Sequence, residues 1–341
     1  RNANLLSLVG CDEPCASNGE GDYFNGHFRG RIVDRRSQAL PLAASMSQVD
    51  VAINVYGKPH QTAVTLMSLL KHSGAHIGRI HITLEKRQPF GAEFGTLLSM
   101  LGARATIHQP PFWFGVRPQR SKWLMHWSAY RRSLRYQHAW ETSTAPYLFI
   151  THNDMLYNAD IIGAMLKAIN GHVAVGPVGQ CWNCPAAFAK KCSPERFTTY
   201  RPGYAEWQQL VEQTPGPRAA HYDRVVDPQQ PWPLPECRIN EWSMLVDLQR
   251  ARPLTMPHGK AVPLGALYGL DIGTQWFHDV FNAGATVEHF AIAPYAKHAW
   301  ASSTGGGHAA LSDKAVYDAE EARALEYLRT HHPEMVTSTC G

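Results

Sequence analysis

The sequence has 341 residues, of which 44% are hydrophobic and 18% are charged, a composition typical of a globular chain that buries a substantial core. Its 32 basic and 28 acidic residues leave a formal net charge of +4, too small to indicate a nucleic-acid-binding protein. No run of about 18 apolar residues occurs, so we expect no transmembrane helix. We therefore expect a cytoplasmic protein with at most peripheral membrane contact. The sequence begins at Arg1 rather than at methionine, which leaves a removed signal segment open.

Residues 1–48 show no sustained hydrophobic period and are expected to form an N-terminal leader. After them, strand-like and helix-like segments alternate along the chain. The predicted strands are 51–55, 79–84, 105–108, 147–151, 173–175 and 287–291, and the predicted helices are 62–72, 92–101, one beginning near 121, 160–169, 238–251, 275–282 and 313–330. This alternation predicts an α/β fold with a mostly parallel sheet and crossover helices.

The regular pattern stops between residues 176 and 237, a loop-rich segment with many prolines. It carries Cys181, Cys184, Cys192 and Cys237, the first two in a C-x2-C spacing that lets two thiolates reach one ion. A loop-rich insertion has little core of its own, so we predict one structural zinc ion bound by the four cysteines. Two disulfides, or simply buried thiols, are the alternatives.

A polar triplet follows the predicted strand 147–151. His152, Asn153 and Asp154 come directly after this strand, and ligands bind at the carboxyl ends of strands in open α/β sheets. A carboxylate in that place can hold a divalent cation, which in turn neutralises a diphosphate. The alternative is an Asn-Asp turn that has nothing to do with metal.

Four short segments give the chain a resemblance to a known family. They are VAINVYGKP at 51–59, ITHND at 150–154, RINEWS at 238–243 and KHAW at 297–300. Their order resembles the glycosyltransferases of the A fold, particularly the inverting, family-2-like enzymes, over about residues 51–303. The resemblance implies a single Rossmann-like A-type domain over 49–303 that contains the cysteine insertion. Residues 304–341 are expected to form a flexible glycine loop and a C-terminal helix.

The resemblance implies an activity as well as a fold. Such enzymes move a sugar from a nucleotide-sugar donor to a glycan or another hydroxyl acceptor, often in polysaccharide biosynthesis and usually with manganese or magnesium at an Asp-x-Asp motif. Asp154 matches the second, metal-binding acid of that motif, while His152 stands where the first acid is expected. His298 matches a second metal ligand near the end of the domain.

Further residues are assigned to the donor by the same resemblance. The residues expected to bind the nucleotide are Val55, Tyr56, Gly57, Glu85, His152 and Asn153, with Arg131 and its neighbour Arg132 balancing the diphosphate charge. Surface packing and solvated charges are the alternative for these positions.

Glu241 is the predicted general base, which takes the proton of the acceptor hydroxyl. The resemblance implies an acid at a helix start after the variable loop, with Trp242 as the apolar floor under a sugar. A helix N-terminus would keep Glu241 ionised, and a helix-capping glutamate is the alternative. Asp247 lies deeper in the predicted helix and is less suited to the role.

Two other functions remain open at this point. A sugar-nucleotide pyrophosphorylase would have a Gly-rich phosphate loop after the first strand, of which Gly57-Lys58-Pro59 is only a fragment. A non-catalytic, zinc-stapled glycan-binding protein would have no nucleotide affinity.

Overall fold

A computed structural model describes residues 48–115, 119, 121–268, 270–303, 306–307 and 309–337. Residues 1–47 of the predicted leader lie outside this described part. No helix among the described residues is both long and apolar enough to cross a membrane.

Nine strands and twelve α-helices form in the described residues. The strands are β1 Val49–Val55, β2 Ile77–Leu84, β3 Ala105–His108, β4 Tyr147–Thr151, β5 Met155–Tyr157, β6 Ala174–Gly176, β7 Ser243–Asp247, β8 Val287–His289 and β9 Ala296–His298. The helices are α1 Pro59–Ser73, α2 Gly95–Leu101, α3 Ser128–Arg131, α4 Gln137–Thr142, α5 Ile161–Ala168, α6 Pro185–Phe188, α7 Tyr204–Gln213, α8 Leu248–Ala251, α9 Thr274–Asn282, α10 Ala309–Ser312, α11 Lys314–His331 and α12 Glu334–Thr337. Every predicted strand is present, whereas β5, β7 and β9 are not among the predictions.

Seven strands form one sheet in the order β3-β2-β1-β4-β7-β6-β8, and β5 and β9 form a separate two-stranded sheet. All neighbours in the large sheet pair in parallel except at β7, which is antiparallel to both β4 and β6. The predicted α/β fold with a mostly parallel central sheet is therefore confirmed.

The sheet separates two apolar cores, as the alternation of side chains along a strand requires. Val51 and Ile53 of β1 face the core that contains residues of α1, α2, α5 and α11. Ala52, between them, faces the other core, which contains Trp140 and Trp276. Both faces of the sheet are covered, as in other parallel sheets.

The predicted helix over 238–251 is wrong. Residues Ser243–Asp247 form strand β7, and only Leu248–Ala251 are helical. Met244, Leu245 and Val246 are fully buried between β4 and β6. A short apolar run that is buried on both faces has no alternation to distinguish a strand from a helix.

The long helix predicted to begin near 121 is also wrong. The segment forms a 3₁₀ turn at Trp123–His126 and then two short helices, α3 and α4. Tyr136, between them, has a φ of 66°, a left-handed conformation that no α-helix accommodates.

Helix α11, predicted over 313–330, packs on α1. The Glu321 carboxylate accepts hydrogen bonds from the backbone N–H groups of His60 (2.8 Å) and Gln61 (3.2 Å) in the first turn of α1. These are N–H groups without partners inside the helix. Ala324 and Leu328 of α11 are buried in the same core as α1.

Candidate active site

The pairing of two strands brings distant polar residues together. Because β7 runs antiparallel to β4, Thr151 at the end of β4 lies opposite Ser243 at the start of β7. The residues after β4 therefore meet those before β7, and the N–H of His152 donates to the carbonyl of Trp242 (3.2 Å). In the small sheet, Met155 lies opposite His298, which places His298 beside Asp154.

His152, Asp154 and His298 form the one group of three or more candidate metal ligands found in the described part of the chain. One ligand atom from each lies within 4.8 Å of the others. His298 Nε2 is 3.4 Å and His152 Nδ1 is 3.9 Å from Asp154 Oδ1. Neither contact makes a hydrogen bond with good geometry, and Asp154 Oδ1 is a buried oxygen with no hydrogen-bond partner among the described residues. Such an atom in a polar cluster fits a site for a cation.

The charges around Asp154 keep it ionised. Burial alone raises the pKa of a carboxyl group, but His298 and the Lys58 ammonium outweigh it and hold the pKa of Asp154 well below its ordinary value. Burial lowers the pKa of His298, which favours the neutral imidazole that can bind a metal. Two imidazoles and one carboxylate fit manganese or zinc better than magnesium, which prefers oxygen ligands.

Glu241 lies next to this group but not at a helix N-terminus. Its Oε1 is 3.4 Å from His152 Nε2, and its Oε2 accepts a hydrogen bond from Arg238 Nη1 (2.5 Å). Burial alone raises the pKa of Glu241, but Arg238 and the His152 hydrogen bond hold that pKa well below its ordinary value. Arg238, rather than a helix N-terminus, is therefore the main group that keeps Glu241 ionised. Glu241 lies in the loop before β7, where the sequence had predicted a helix start.

A series of ion pairs of alternating charge connects Glu241 to residues farther from the metal group. Arg238 also donates to the carbonyl of Ile272 (2.6 Å) and approaches Asp271 Oδ2 (3.4 Å). Asp271 accepts from Arg218 Nη1 (2.9 Å), and Arg218 pairs in turn with Glu236. These ion pairs and hydrogen bonds hold Arg238, and through it Glu241, in position.

Asp247 is not part of this cluster. It lies at the opposite end of β7, opposite Tyr147, and its carboxylate accepts from the N–H groups of Gln249 and Arg250 at the start of α8. Asp247 is therefore a helix-capping residue.

The predicted nucleotide-binding residues around β1 lie at the same sheet edge, although most of their polar groups bind other parts of the chain. The Gly57 N–H donates to Gln88 Oε1 (2.6 Å), and the Gly57 carbonyl accepts from the Asn153 amide (3.0 Å). The Val55 carbonyl accepts from the N–H of Glu85 (3.1 Å). Tyr56 packs against Trp113, with their ring centroids 5.8 Å apart.

Gly57 can only be glycine for two reasons. Its φ is 70°, and a Cβ atom there would lie 2.6 Å from the Pro89 side chain. Asn153 also donates to Thr62 Oγ1 (3.2 Å). Asn153 therefore ties the loop after β1 to the loop after β4.

Glu85 lines a separate small cavity with Ser133 and Arg135, among other residues. Its Oε2 is buried without a hydrogen-bond partner in the described residues. Burial raises the pKa of Glu85, and the charge of Arg135 offsets part of that rise. Arg135 is a cationic group facing Glu85 that the sequence did not reveal.

Arg131 is not available to a diphosphate. It is buried and pairs with Glu141 (2.7 Å), and it donates to the carbonyl of Met125 (2.7 Å). Arg132 also pairs with Glu141 (2.8 Å). The acceptors of the Arg131 guanidinium, Glu141 and the carbonyls of Met125 and His126, are all internal, which argues against the predicted diphosphate contact.

The four cysteines of the insertion are free thiols, which leaves no pair in a disulfide. They form no metal-binding group by the distance that His152, Asp154 and His298 satisfy, so the predicted zinc site is not supported. Cys184 and Cys237 are buried in the apolar core instead. Burial raises the pKa of Cys184 to about 11, and both fit the alternative of plain buried thiols.

Two residues of the cluster escaped the sequence analysis. Lys58 is buried and donates from Nζ to Asp154 Oδ2 (3.1 Å). Trp182, in the C-x2-C segment, is 54% exposed and its ring lies 5.8 Å from that of Trp242, which packs 4.2 Å from the His298 ring. Neither the exposure of Trp182 nor its contact with Trp242 is visible in the sequence.

Backbone strain accumulates at this cluster. Lys58, Tyr136 and Ala299 have φ values of 59°, 66° and 48°, each costing about 1–3 kcal/mol in a residue other than glycine. Ala299 directly follows His298. Tyr136 feels the charges of the cluster: burial raises its pKa most, and the carboxylates of Glu241 and Asp154 raise it further. Strain that collects around one polar cluster is typical of a functional site.

No family model and no curated protein matches the sequence. Among solved structures, the chain is similar to the mannosyltransferase PcManGT from Pyrobaculum calidifontis in complex with GDP-Man and Mn²⁺, with 12% identity, 71% of this chain and 54% of that chain covered, and a TM-score of 0.38. The chain thus spans about half the length of that enzyme. It is also similar to glucosyl-3-phosphoglycerate synthase from Mycobacterium tuberculosis in complex with Mn²⁺, uridine diphosphate and phosphoglyceric acid, with 9% identity, 72% and 69% coverage and a TM-score of 0.37. At these identities and TM-scores the similarity transfers no donor, acceptor or mechanism to this chain.

Proposed function

We propose that the protein is a glycosyltransferase that moves a sugar from a nucleoside-diphosphate donor to a hydroxyl of a glycan or related acceptor, with help from a divalent ion. The observation that carries this proposal is the His152–Asp154–His298 group at the carboxyl edge of the sheet, with a buried Asp154 oxygen that has no hydrogen-bond partner in the described part of the chain. Ligands of open α/β sheets bind at that edge. A cation held by the three residues would neutralise the negative charge of a diphosphate bound there.

The ion supplies charge neutralisation for the departing diphosphate. His152, Asp154 and His298 would hold it, and Glu241 orients His152 through the contact at Nε2. A carboxylate that fixes a metal-binding histidine is a common second partner of such sites. Manganese is the expected ion because two of the three ligands are imidazoles.

For inverting transfer, we assign the proton to Glu241. The acceptor oxygen attacks the anomeric carbon, the bond from that carbon to the diphosphate oxygen breaks, and the diphosphate leaves with the electron pair. The acceptor proton goes to Glu241 Oε1, since Oε2 is held by Arg238. Trp182 and Trp242 provide an apolar surface for the acceptor sugar beside this oxygen.

The proposal is tested by calorimetric titration of uridine and guanosine diphosphates into the protein, with and without Mn²⁺. We expect one of the two to bind, and to bind more tightly with Mn²⁺, because an ion held by Asp154 and the two histidines would neutralise the charge of the diphosphate. Asp154→Asn keeps the shape of the side chain and should lose the effect of Mn²⁺. The Asp247→Asn variant, altered at the far end of β7, is the matched control and should keep it.

The same titration separates the alternatives. Tight binding of a nucleoside triphosphate together with a sugar phosphate would favour a pyrophosphorylase. No affinity for any nucleotide, with or without Mn²⁺, would contradict the glycosyltransferase and favour a glycan-binding protein.

A further inference from the structure

Lys58 is held in an unusual conformation that aims its side chain into the metal group. Its φ and ψ are 59° and 56°, a backbone conformation that residues other than glycine rarely adopt. Its backbone N–H donates to the Tyr317 hydroxyl (2.9 Å), and its carbonyl accepts from the N–H (2.8 Å) and the hydroxyl (2.7 Å) of Thr62. Contacts on both sides therefore fix the backbone, so the Lys58 side chain always starts from the same place beside Asp154 and changes its direction only by rotating its own side-chain bonds.

The ammonium of Lys58 and the two histidines share one carboxylate. Lys58 Nζ contacts Asp154 Oδ2 (3.1 Å) and no other acceptor among the described residues, while His298 approaches Oδ1 (3.4 Å). The pair is closed off from solvent, with only 3% and 6% of the two side chains exposed. A lysine has three N–H donors, so the geometry leaves Lys58 with donors for a second anion.

The backbone of Gly307 covers the ion pair. A Cβ atom at residue 307 would lie 2.5 Å from Asp154 Oδ2 and 2.9 Å from Lys58 Nζ. The backbone of Gly307 therefore lies directly against the pair. Lys58 therefore acts as the cation of Asp154 while no ligand is present.

A divalent ion at Asp154 changes this balance, because two cations on one buried carboxylate repel each other. We propose that Lys58 is an internal cation of the donor site: it competes with the divalent ion for Asp154, and it moves to the donor diphosphate when the ion binds. This inference rests on the proposed function. Lys58 thereby couples ion binding to diphosphate binding, so that each ligand strengthens the other.

The test measures Mn²⁺ affinity by electron paramagnetic resonance, with Mn²⁺ alone and with uridine or guanosine diphosphate. In the unaltered protein, we expect the diphosphate to tighten Mn²⁺ binding about tenfold or more, within the usual range of coupling between sites. Lys58→Met should bind Mn²⁺ alone about tenfold more tightly, because the competing charge is gone. The added diphosphate should then give a smaller gain, because no lysine remains to be transferred.

Lys190→Met is the matched control. Lys190 has the same left-handed backbone (φ 58°) but is exposed, so its removal should change neither affinity. Lys58→Gly suits the left-handed backbone and repeats the test if Lys58→Met does not fold.

Unchanged Mn²⁺ affinity in both Lys58 variants would overturn the inference. The inference would also be overturned if the Mn²⁺ affinity of Lys58→Met rose no more than that of Lys190→Met. Failure of the proposed function gives a different result: no nucleoside diphosphate would bind the unaltered protein. The comparison with Mn²⁺ alone would then still decide whether Lys58 competes with the ion.

Discussion

Replacing Asp154 by asparagine tests whether the Lys58–Asp154 contact is a buried ion pair. The two charged groups are 3.1 Å apart and almost fully buried. At an effective dielectric constant of about 20, their attraction is about 5 kcal/mol, of which desolvation cancels a part. Removal of one partner leaves the other charge buried, so we expect Asp154→Asn to lower the free energy of unfolding by about 3–5 kcal/mol.

The double variant Lys58→Met/Asp154→Asn provides the control for this magnitude. It removes both charges, so it should be more stable than Asp154→Asn alone, and by about 2 kcal/mol or more. Urea denaturation of the unaltered protein, the two single variants Lys58→Met and Asp154→Asn, and the double variant, at pH 7 and without divalent ions, gives the coupling free energy between the two residues. A loss below about 1 kcal/mol in Asp154→Asn, or no recovery in the double variant, would refute the buried ion pair.

Two further predictions concern chemistry and packing. Glu241→Gln should keep donor binding but lower turnover by about 10²–10⁴-fold, the usual cost of losing a general base; full turnover would return Glu241 to orienting His152. Gly307→Ala should lower stability by about 1–3 kcal/mol, since its Cβ meets the buried Lys58–Asp154 pair. Gly306→Ala is the control, because a Cβ there meets no described atom within 4 Å, and equal losses in the thermal denaturation of both variants would contradict the contact.

Local patterns predicted most of the fold. The strands β1, β2, β3 and β4 and the helices between β1 and β3 carry periods that depend only on neighbouring residues, and these predictions were confirmed. Strand β7 failed because its residues are buried by β4 and β6, which the sequence alone does not place beside it. The helix predicted after 121 failed at Tyr136, whose positive φ has no local signal.

The site was only partly predictable for the same reason. The resemblance placed Asp154 and His298, and the structure brings them together through the pairing of β5 with β9. Lys58 and Asp154 are 96 residues apart in the sequence, and no local pattern predicts a contact at that separation. The partner of Arg131 was hidden in the same way, because the sequence does not show that Glu141 already neutralises it.

The position of a bound Mn²⁺ ion shows whether His152, Asp154 and His298 hold the metal of the donor site. Crystals grown with Mn²⁺ and the nucleoside diphosphate that binds would show the ion by its anomalous scattering. We predict one Mn²⁺ peak in contact with His152, Asp154 and His298, with a diphosphate oxygen as a further ligand and Lys58 turned from Asp154 to the diphosphate. A diphosphate bound elsewhere, or a Mn²⁺ peak away from Asp154, would contradict it.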